Sequence, residues 1–569
     1  MLAKIRHNNQ NDPQAPGYGF PIELSWPFDK ALNALCRLSL RLLLTLILFS
    51  CNAEFEQRDP NTIFRYNESG NISSLDPAFA RNPQNIWPTN QLFNGLVQLD
   101  DSLNIKPDLA KYWTYNDSSR TYTFILRDRV YFHEHDLFGP KRSRTVTAAD
   151  FVYSFDRLKD DNLAAPGSWV LQQVDHYWAS NDSTLSIKLK QAFPPFLGIL
   201  AMRYCSVVPH EAVAYFGNDF RKNPIGTGPF AFKLWVENTK LVLRRNPLYF
   251  EHDEKGQQLP YLEAVAISFL PDKQSEFLEF TQGNLDFISG IDQSYKDALL
   301  TPQGSLSPDY AKIAYMLKAP FLNTEYVGFN LEKQAAAVQS KLIRQAVNYG
   351  IDRKKMITYL RNGIGFSADK GFIPKGLKGS GSTAIYPYDM IKAKTLVDSF
   401  KSLNPGIRPE LSLSTNSQYL DLCEYMQTEL DKIGITVHID VLPPSTLRQL
   451  KNTGGLELFR ASWVADYPDA ENYLSLFISQ NFTPDGPNYT HFFKPEIDSL
   501  YQKALTVQQD SLRWAIYRKM DEKIMEFAPV VPLYYDMAIR FVRKNVEDLG
   551  INAQNFLFLK RTKKLSPKN

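Results

Sequence analysis

Residues 121–126, Thr-Tyr-Thr-Phe-Ile-Leu, alternate polar and apolar in the manner of a strand with one buried face. Strand-like text also spans residues 62–66 and 184–190, and Pro194-Pro195 breaks the pattern after the latter. At Thr147-Ala-Ala-Asp150 the pattern changes period. Thr147 and Asp150 form a capping-box-like start, with Asp in place of Glu, and Phe151, Phe155 and Leu158 follow at helical spacing. The stretch Asn223-Pro-Ile-Gly-Thr-Gly-Pro-Phe230 reads as a tight turn before strands at 230–235 and 241–244.

The C-terminal half holds the clearest α/β unit. Tyr419, Leu422, Cys423, Met426, Leu430 and Ile433 make a helical stripe that Gly434 ends. Ile435, Val437, Ile439 and Val441 then alternate as a strand, and residues 456–464 form another apolar strand. Two helices follow, one carrying Ile497, Leu500, Tyr501 and Leu505, the other Leu512, Ile516, Met520 and Ile524. With no internal repeat, the mixture predicts α/β lobes rather than a solenoid or barrel.

Ahead of this body, Leu42–Ser50 is an apolar run preceded by Arg37 and Arg41 and ended by Cys51. It is shorter than the roughly 20 residues that span a bilayer and fits a signal-peptide core. Ser50-Cys51 resembles a lipoprotein processing site, which implies acylation of Cys51 and a lipid anchor; the alternative is a short membrane anchor or a buried helix. Residues 1–50 are accordingly assigned to a leader with a long N-terminal extension.

Of 64 basic and 61 acidic residues, five and three precede Cys51, so the body carries 59 against 58. That balance gives no broad basic footprint for nucleic acid. Only Cys205 and Cys423 remain beyond Cys51, and whether they pair is left open. A body of this length supplies its own core, and 13% aromatic content can serve packing or line a pocket for a varied ligand.

Several segments occur in a familiar order: Ser74-Leu-Asp-Pro77, Leu92-Phe-Asn-Gly-Leu96, Pro107-Asp-Leu-Ala110 with Trp113, Val146-Thr-Ala-Ala-Asp-Phe-Val-Tyr-Ser154, Gly226-Thr-Gly-Pro-Phe230 and Ile351-Asp-Arg353. Together they resemble the family 5 extracellular solute-binding proteins, which include the oligopeptide- and dipeptide-binding proteins of ABC importers. The resemblance implies a periplasmic-binding-protein-like fold of three lobes with a two-strand hinge and a closing cleft. Lobe I would comprise 52–93, 209–320 and 536–569, lobe II the insertion 94–208, and lobe III 321–535. Closure around a ligand would be a population shift driven by better contacts in the closed state.

Within this frame Arg460-Ala-Ser-Trp-Val-Ala-Asp466 resembles a run whose aspartate pairs with the ligand's α-ammonium, and Asp466 falls on that position. A single carboxylate in a desolvated cleft would recognise the one cation every ordinary peptide shares. The backbone of Ser462, Trp463 and Val464 could then pair with the peptide backbone without reading its side chains. The residue-level alternatives are a turn aspartate at 466, a structural ion pair for Arg460 in place of a ligand carboxylate, and a core position for Trp463 in place of a pocket wall. Asp469 reads as a helix N-cap for residues 470–477.

The first ligand-facing loop would fall at Arg81-Asn82-Pro83. A relative's ligand-contacting tyrosine aligns near Gly167, and Trp169 is the candidate substitute. Phe321 and Val464 stand where relatives carry an inter-strand disulfide. His133-Glu-His135 could suggest a metal but reads better as a surface loop.

No GxSxG, HExxH or Walker motif is present, so neither catalysis nor a cofactor is expected. The expected role is a monomeric, lipid-anchored binding protein on the periplasmic side of a membrane, delivering peptides to an ABC permease. A metal chelate, an opine or a saccharide is the alternative cargo, and a secreted peptide hydrolase the alternative from another class.

Overall fold

In a computed structural model of the protein the described residues are 62–565, and the leader with Cys51 lies outside them. Three larger sheets organise the chain. The strand Ile63–Asn67 runs parallel to Ala264–Ser268, which continues antiparallel through Lys240–Arg245 to Phe230–Val236. A second, antiparallel sheet is drawn wholly from 110–189, in the order Ala110–Asn116, Thr121–Leu126, Thr184–Leu189, Val174–Asn181. The helix Ala148–Lys159 starts as its sequence predicts. The Asp150 carboxylate accepts the Thr147 N–H at 2.8 Å and is held by Arg144 at 2.7 and 2.9 Å.

The third sheet has seven strands. Its path is Phe287–Ser289, Val530–Arg543, Ala314–Phe329, Leu458–Val464, Glu410–Thr415 and Thr436–Val441, with Phe366–Ser367 pairing on the second of these. Ala314–Phe329 and Val530–Arg543 are its two long members and pair antiparallel, with a register break between Pro320 and Thr324. Proline has no N–H for the ladder, and the Leu322 N–H just beyond it turns aside to the Ala553 carbonyl at 2.7 Å.

The α/β unit of the C-terminal half forms as read. Glu410–Thr415 and Thr436–Val441 pair in parallel across the helix Leu420–Asp431, whose Leu422, Cys423, Met426 and Leu430 are buried. Gly434 ends the connection at φ +80°, a left-handed conformation that glycine takes without penalty. Tyr419 departs from the expected stripe: it sits in the turn Ser417–Tyr419 and its ring lies against Arg460. The helices Pro495–Thr506 and Asp510–Phe527 also form, although in the second the buried face holds Tyr517, Met520 and Ile524 while Leu512 of the expected stripe is exposed.

Cysteine pairing, left open by the sequence, and the turn at 223–230 gain a physical account, and one expectation needs correction. Cys205 and Cys423 are both buried and both free. Gly226 and Gly228 do not take left-handed conformations. What demands glycine there is close approach, because an added Cβ would lie 2.1 Å from the Leu92 carbonyl oxygen and 2.4 Å from that of Gln91, respectively. His133 is not on a surface loop. It is buried, its Nδ1 accepts the Gly226 N–H at 3.2 Å, and its Nε2 donates to the Gly228 carbonyl at 3.0 Å. Burial drives its pKa down to about 4, so the neutral ring holds the glycine loop in place. Among the described residues no helix is long and apolar enough to cross a membrane.

Candidate functional site

The strand Leu458–Val464 carries four of the candidate residues, Arg460, Ser462, Trp463 and Val464. One edge pairs with Ala314–Phe329 along its whole length, while the other meets Glu410–Thr415 only at Leu458 and Phe459. The Ala465 N–H donates to the Leu322 carbonyl at 2.9 Å. Alternation along an antiparallel pair therefore turns the N–H and C=O of Ser462 and Val464 away from that partner. No hydrogen bond among the described residues meets them there, so a short ledge of unpaired backbone leads to Asp466.

The turn after the strand is fixed by one amide. The Asn472 Oδ1 accepts the Trp463 indole N–H at 2.9 Å and the Asp466 N–H at 3.3 Å. The Asp466 carbonyl accepts from Gln554 at 3.2 Å. Asp469 accepts the Glu471 N–H at 2.9 Å and so caps the short helix Glu471–Leu474, close to its expected role.

Asp466 lines two cavities at once. One, of about 250 Å³, is walled by Arg81, Pro83, Tyr204, Phe321 and Val464 among others. The other, of about 500 Å³, extends past Trp169 and Trp463 to Tyr501 and Gln502. A third, of about 300 Å³, continues from Phe321 and Asn555 towards Arg361, Tyr419 and Asp536.

The Asp466 carboxylate is open to this cleft, yet the walls strip away enough water to raise its pKa. The Asn472 side chain and the charge of Arg81 oppose the rise. Among the described residues no lysine, arginine or histidine forms an ion pair with Asp466, whereas Glu325 and Asp536 each have an arginine partner.

Arg460 is one of those partners. Its buried guanidinium pairs with the buried carboxylate of Glu325 and lies over the Tyr419 ring, 3.0 Å from its centroid. Of the two readings open from sequence, the structure places Arg460 in the internal ion pair. Trp463 is half-buried and forms part of the larger cavity's wall. Trp169 lines the same cavity, with its ring 6.4 Å from that of Tyr467. Pro83 reaches the smaller cavity, but the Asn82 side chain is spent capping the helix Pro83–Leu92 by accepting the Asn85 N–H at 3.1 Å. Its neighbour Arg81 is the loop residue that faces the cavity with Pro83.

Sequence reasoning missed Tyr204. Its ring covers Gly167, where an added Cβ would stand 2.3 Å from Cδ1, and it lines the smaller cavity with Asp466. An aromatic ring is thus present beside the position where a tyrosine was expected, supplied from 37 residues further along the chain. Burial and the nearby Asp466 charge push its hydroxyl up to about 12. Asn472 was missed as well, since an isolated asparagine carries no local signal of what it will bond. Among the described residues no group of three or more histidine, cysteine, aspartate or glutamate side chains is placed to hold a metal.

Comparison with known proteins places this geometry in context. The family model "Bacterial extracellular solute-binding proteins, family 5 Middle" matches residues 104–484. The "Probable deoxycholate-binding periplasmic protein YgiS" of Escherichia coli is 25% identical over 531 residues, covering 88% of this chain and 93% of the relative. The "Probable di/tripeptide-binding protein 5" of Pseudomonas aeruginosa is 26% identical over 487 residues, covering 81% and 88%. Among solved structures, the periplasmic binding protein DppA from Helicobacter pylori, in complex with the peptide STSA, superposes with a TM-score of 0.71 at 23% identity, covering 89% of this chain and 98% of that one. The chain belongs to the family 5 bacterial extracellular solute-binding proteins.

Proposed function

We propose that this protein captures peptides, or peptide-like solutes bearing a free amine, in the cleft at Asp466 and delivers them to an ABC permease. The observation that carries the reading is the Asp466 carboxylate itself, which faces two cavities and forms no ion pair among the described residues, Arg81 acting on it only from a distance. An ammonium group brought there gains a charge-assisted hydrogen bond in partly desolvated surroundings. The ledge at Ser462–Val464 lies beside it, and a peptide backbone laid along that edge would extend the sheet by one strand. The first contact selects for an amino terminus and the second for an extended chain, so side-chain identity contributes little.

In this reading 209–320 and the described parts of 52–93 and 536–569 form one lobe, 94–208 a second and 321–535 a third. The paired strands Ala314–Phe329 and Val530–Arg543 act as the hinge, bending where their register breaks. Cys51 carries the lipid that keeps the monomer at the periplasmic side of a membrane. The relative from Pseudomonas, whose name describes di- and tripeptide binding, supports peptide cargo.

Titration calorimetry of the full chain with a mixture of unmodified tripeptides, and with the same mixture N-acetylated, tests the reading. The free amines should bind and the acetylated forms should bind about 30-fold or more weakly, in line with the loss of a buried charge pair. Equal binding of the two mixtures, or undiminished binding by Asp466→Asn, would reject it.

A further inference from the structure

The four-stranded sheet that starts at Ile63–Asn67 buries only one face. That face carries Phe64, Tyr66, Leu241, Leu243 and Ile267, all buried. On the other, register places Leu234, Val242 and Ala266 in one row, with Val236 and Lys240 on one side and Arg244 and Ile63 on the other. Leu234 and Val236 are 41% and 43% exposed, and Ile63, Val242 and Ala266 are half-buried. Four strands at sheet spacing make this apolar patch about 14 Å wide.

Its charge is of one sign. Lys233, Lys240 and Arg244 are exposed, and none forms an ion pair among the described residues. The carboxylates of the same strands and turn are already taken: Glu237 pairs with Arg221 and Lys222, and Glu263 with Arg245. Apolar side chains among unpaired cations suit a surface that is anionic outside and hydrocarbon beneath. Another strand is a poor occupant. The edge strand Phe230–Val236 breaks register between Phe232 and Leu234, and a bulge bearing a lysine blocks pairing at an edge. The chain also limits how far the patch lies from Cys51. Ile63 belongs to the patch and follows Cys51 by twelve positions, at most about 40 Å of extended chain. Between them Glu54, Glu56 and Asp59 outnumber Arg58, so attraction to an anionic surface has to come from the sheet.

We propose that this sheet face rests on an anionic lipid bilayer, with Leu234 and Val236 entering the headgroup region and Lys233, Lys240 and Arg244 set over lipid phosphates. The proposal rests on the reading of Cys51 as the lipid anchor. The anchor keeps the chain at the membrane, and the sheet face decides which side of the body turns towards it. A tether this short holds the face at high local concentration beside the bilayer, so contacts too weak to bind alone are enough to orient the protein.

Fluorescence quenching by lipid provides the test. Cys205 and Cys423 are buried, so a fluorophore on Leu234→Cys reports this face. Ile391→Cys, at an 83% exposed position in the helix Met390–Leu403, is the control. The full chain, expressed with its leader and extracted from membranes, is reconstituted on vesicles of phosphatidylcholine and phosphatidylglycerol in equal parts, or of phosphatidylcholine alone, each with nitroxide-labelled lipid as quencher. Position 234 should be quenched on the mixed vesicles and position 391 should not. That quenching should be lost on phosphatidylcholine alone and in Lys240→Glu/Arg244→Glu, while the protein still floats with the vesicles and circular dichroism melts stay unchanged. Protein that does not float rejects the anchor and the proposal with it. Protein that floats without quenching at 234, equal quenching at 234 and 391, or quenching that survives charge reversal overturns the proposal and leaves the anchor standing. Dimers in sedimentation, in place of lipid quenching, would assign the face to a second copy of the chain and overturn it as well.

Discussion

Asn472 and Asp466 are tied through both main chain and side chain: the asparagine oxygen accepts the Asp466 N–H at 3.3 Å, and its side chain also steadies the Asp466 carboxylate. Asn472→Asp keeps an acceptor for the main chain and for Trp463 but sets a second negative charge beside the first. Like charges disfavour ionisation, so the acid limb of ligand affinity should move to higher pH. Calorimetric titrations across pH 4–8, compared with wild type, measure that displacement.

Asp466 itself imposes a sign on the pH dependence. Its pKa is raised, chiefly by burial, and only the ionised form pairs with an ammonium. Affinity for a free-amine peptide should fall as pH drops through that raised value. Asp466→Asn should abolish the fall and cost about 2–5 kcal/mol in affinity at neutral pH. Its folding stability should stay close to wild type, because no ion pair is broken; urea denaturation checks this.

The pair Arg460–Glu325 is buried on both sides. Glu325→Ala leaves an uncompensated guanidinium and should destabilise the fold by about 3–5 kcal/mol. The double variant Glu325→Leu/Arg460→Met removes both charges and should recover most of that loss. A double-mutant cycle by chemical denaturation reads the difference.

Gly167→Ala would drive a methyl group into the Tyr204 ring. Overpacking of this kind costs about 1–3 kcal/mol, and displacing Tyr204 alters the wall of the Asp466 cavity. In the double variant with Tyr204→Ala the clash is gone, so its cost should be less than the sum of the two single costs while ligand affinity stays low, which thermal melts and calorimetry separate.

His133 gives a second pH effect, on stability. Its folded pKa is about 4, below the unfolded value of about 6.5. As pH falls, the unfolded chain takes up this proton first, so the contribution is complete above about 6.5 and lost towards 4, to a limit of about 3 kcal/mol. Asp521 and Glu471, each pushed up to about 7 by burial, act oppositely: their contribution is held at low pH and lost as pH rises through that value. The comparison that isolates His133 is with His133→Gln, which can still bond both glycines. Between pH 7 and 4.5 the variant should lose less stability in urea than the wild type does.

Much of this was legible in the sequence because local rules govern it. The capping carboxylate at Asp150, the stripe from Leu422 to Leu430 and the stop at Gly434 each depend on residues within a turn or two. Asp466 was singled out through the motif around it. What stayed hidden depends on distant approach. Nothing near Tyr204 announces that its ring will cover Gly167, and nothing near Glu325 announces Arg460, 135 positions away. The turn at Gly226 and Gly228 was read, but not why glycine is demanded there, since the carbonyls that exclude a Cβ belong to a helix more than 130 residues earlier. Asn82 was placed in the right loop, and its capping bond to Asn85, three residues on, was the local signal overlooked.

The half-open strand ending at Val464 has a further consequence. Unclaimed donors and acceptors along a sheet margin invite any extended chain, including one from another copy of the same protein. Here the inviting stretch is only the five residues from Arg460, roughly 17 Å at the rise of a strand, and a charged carboxylate stands just past its far end. A long strand cannot seat itself without forcing its own backbone against that charge, whereas a short segment that begins with an amine meets it favourably. Brevity and charge together make the margin hospitable to cargo and poor ground for fibrous self-association.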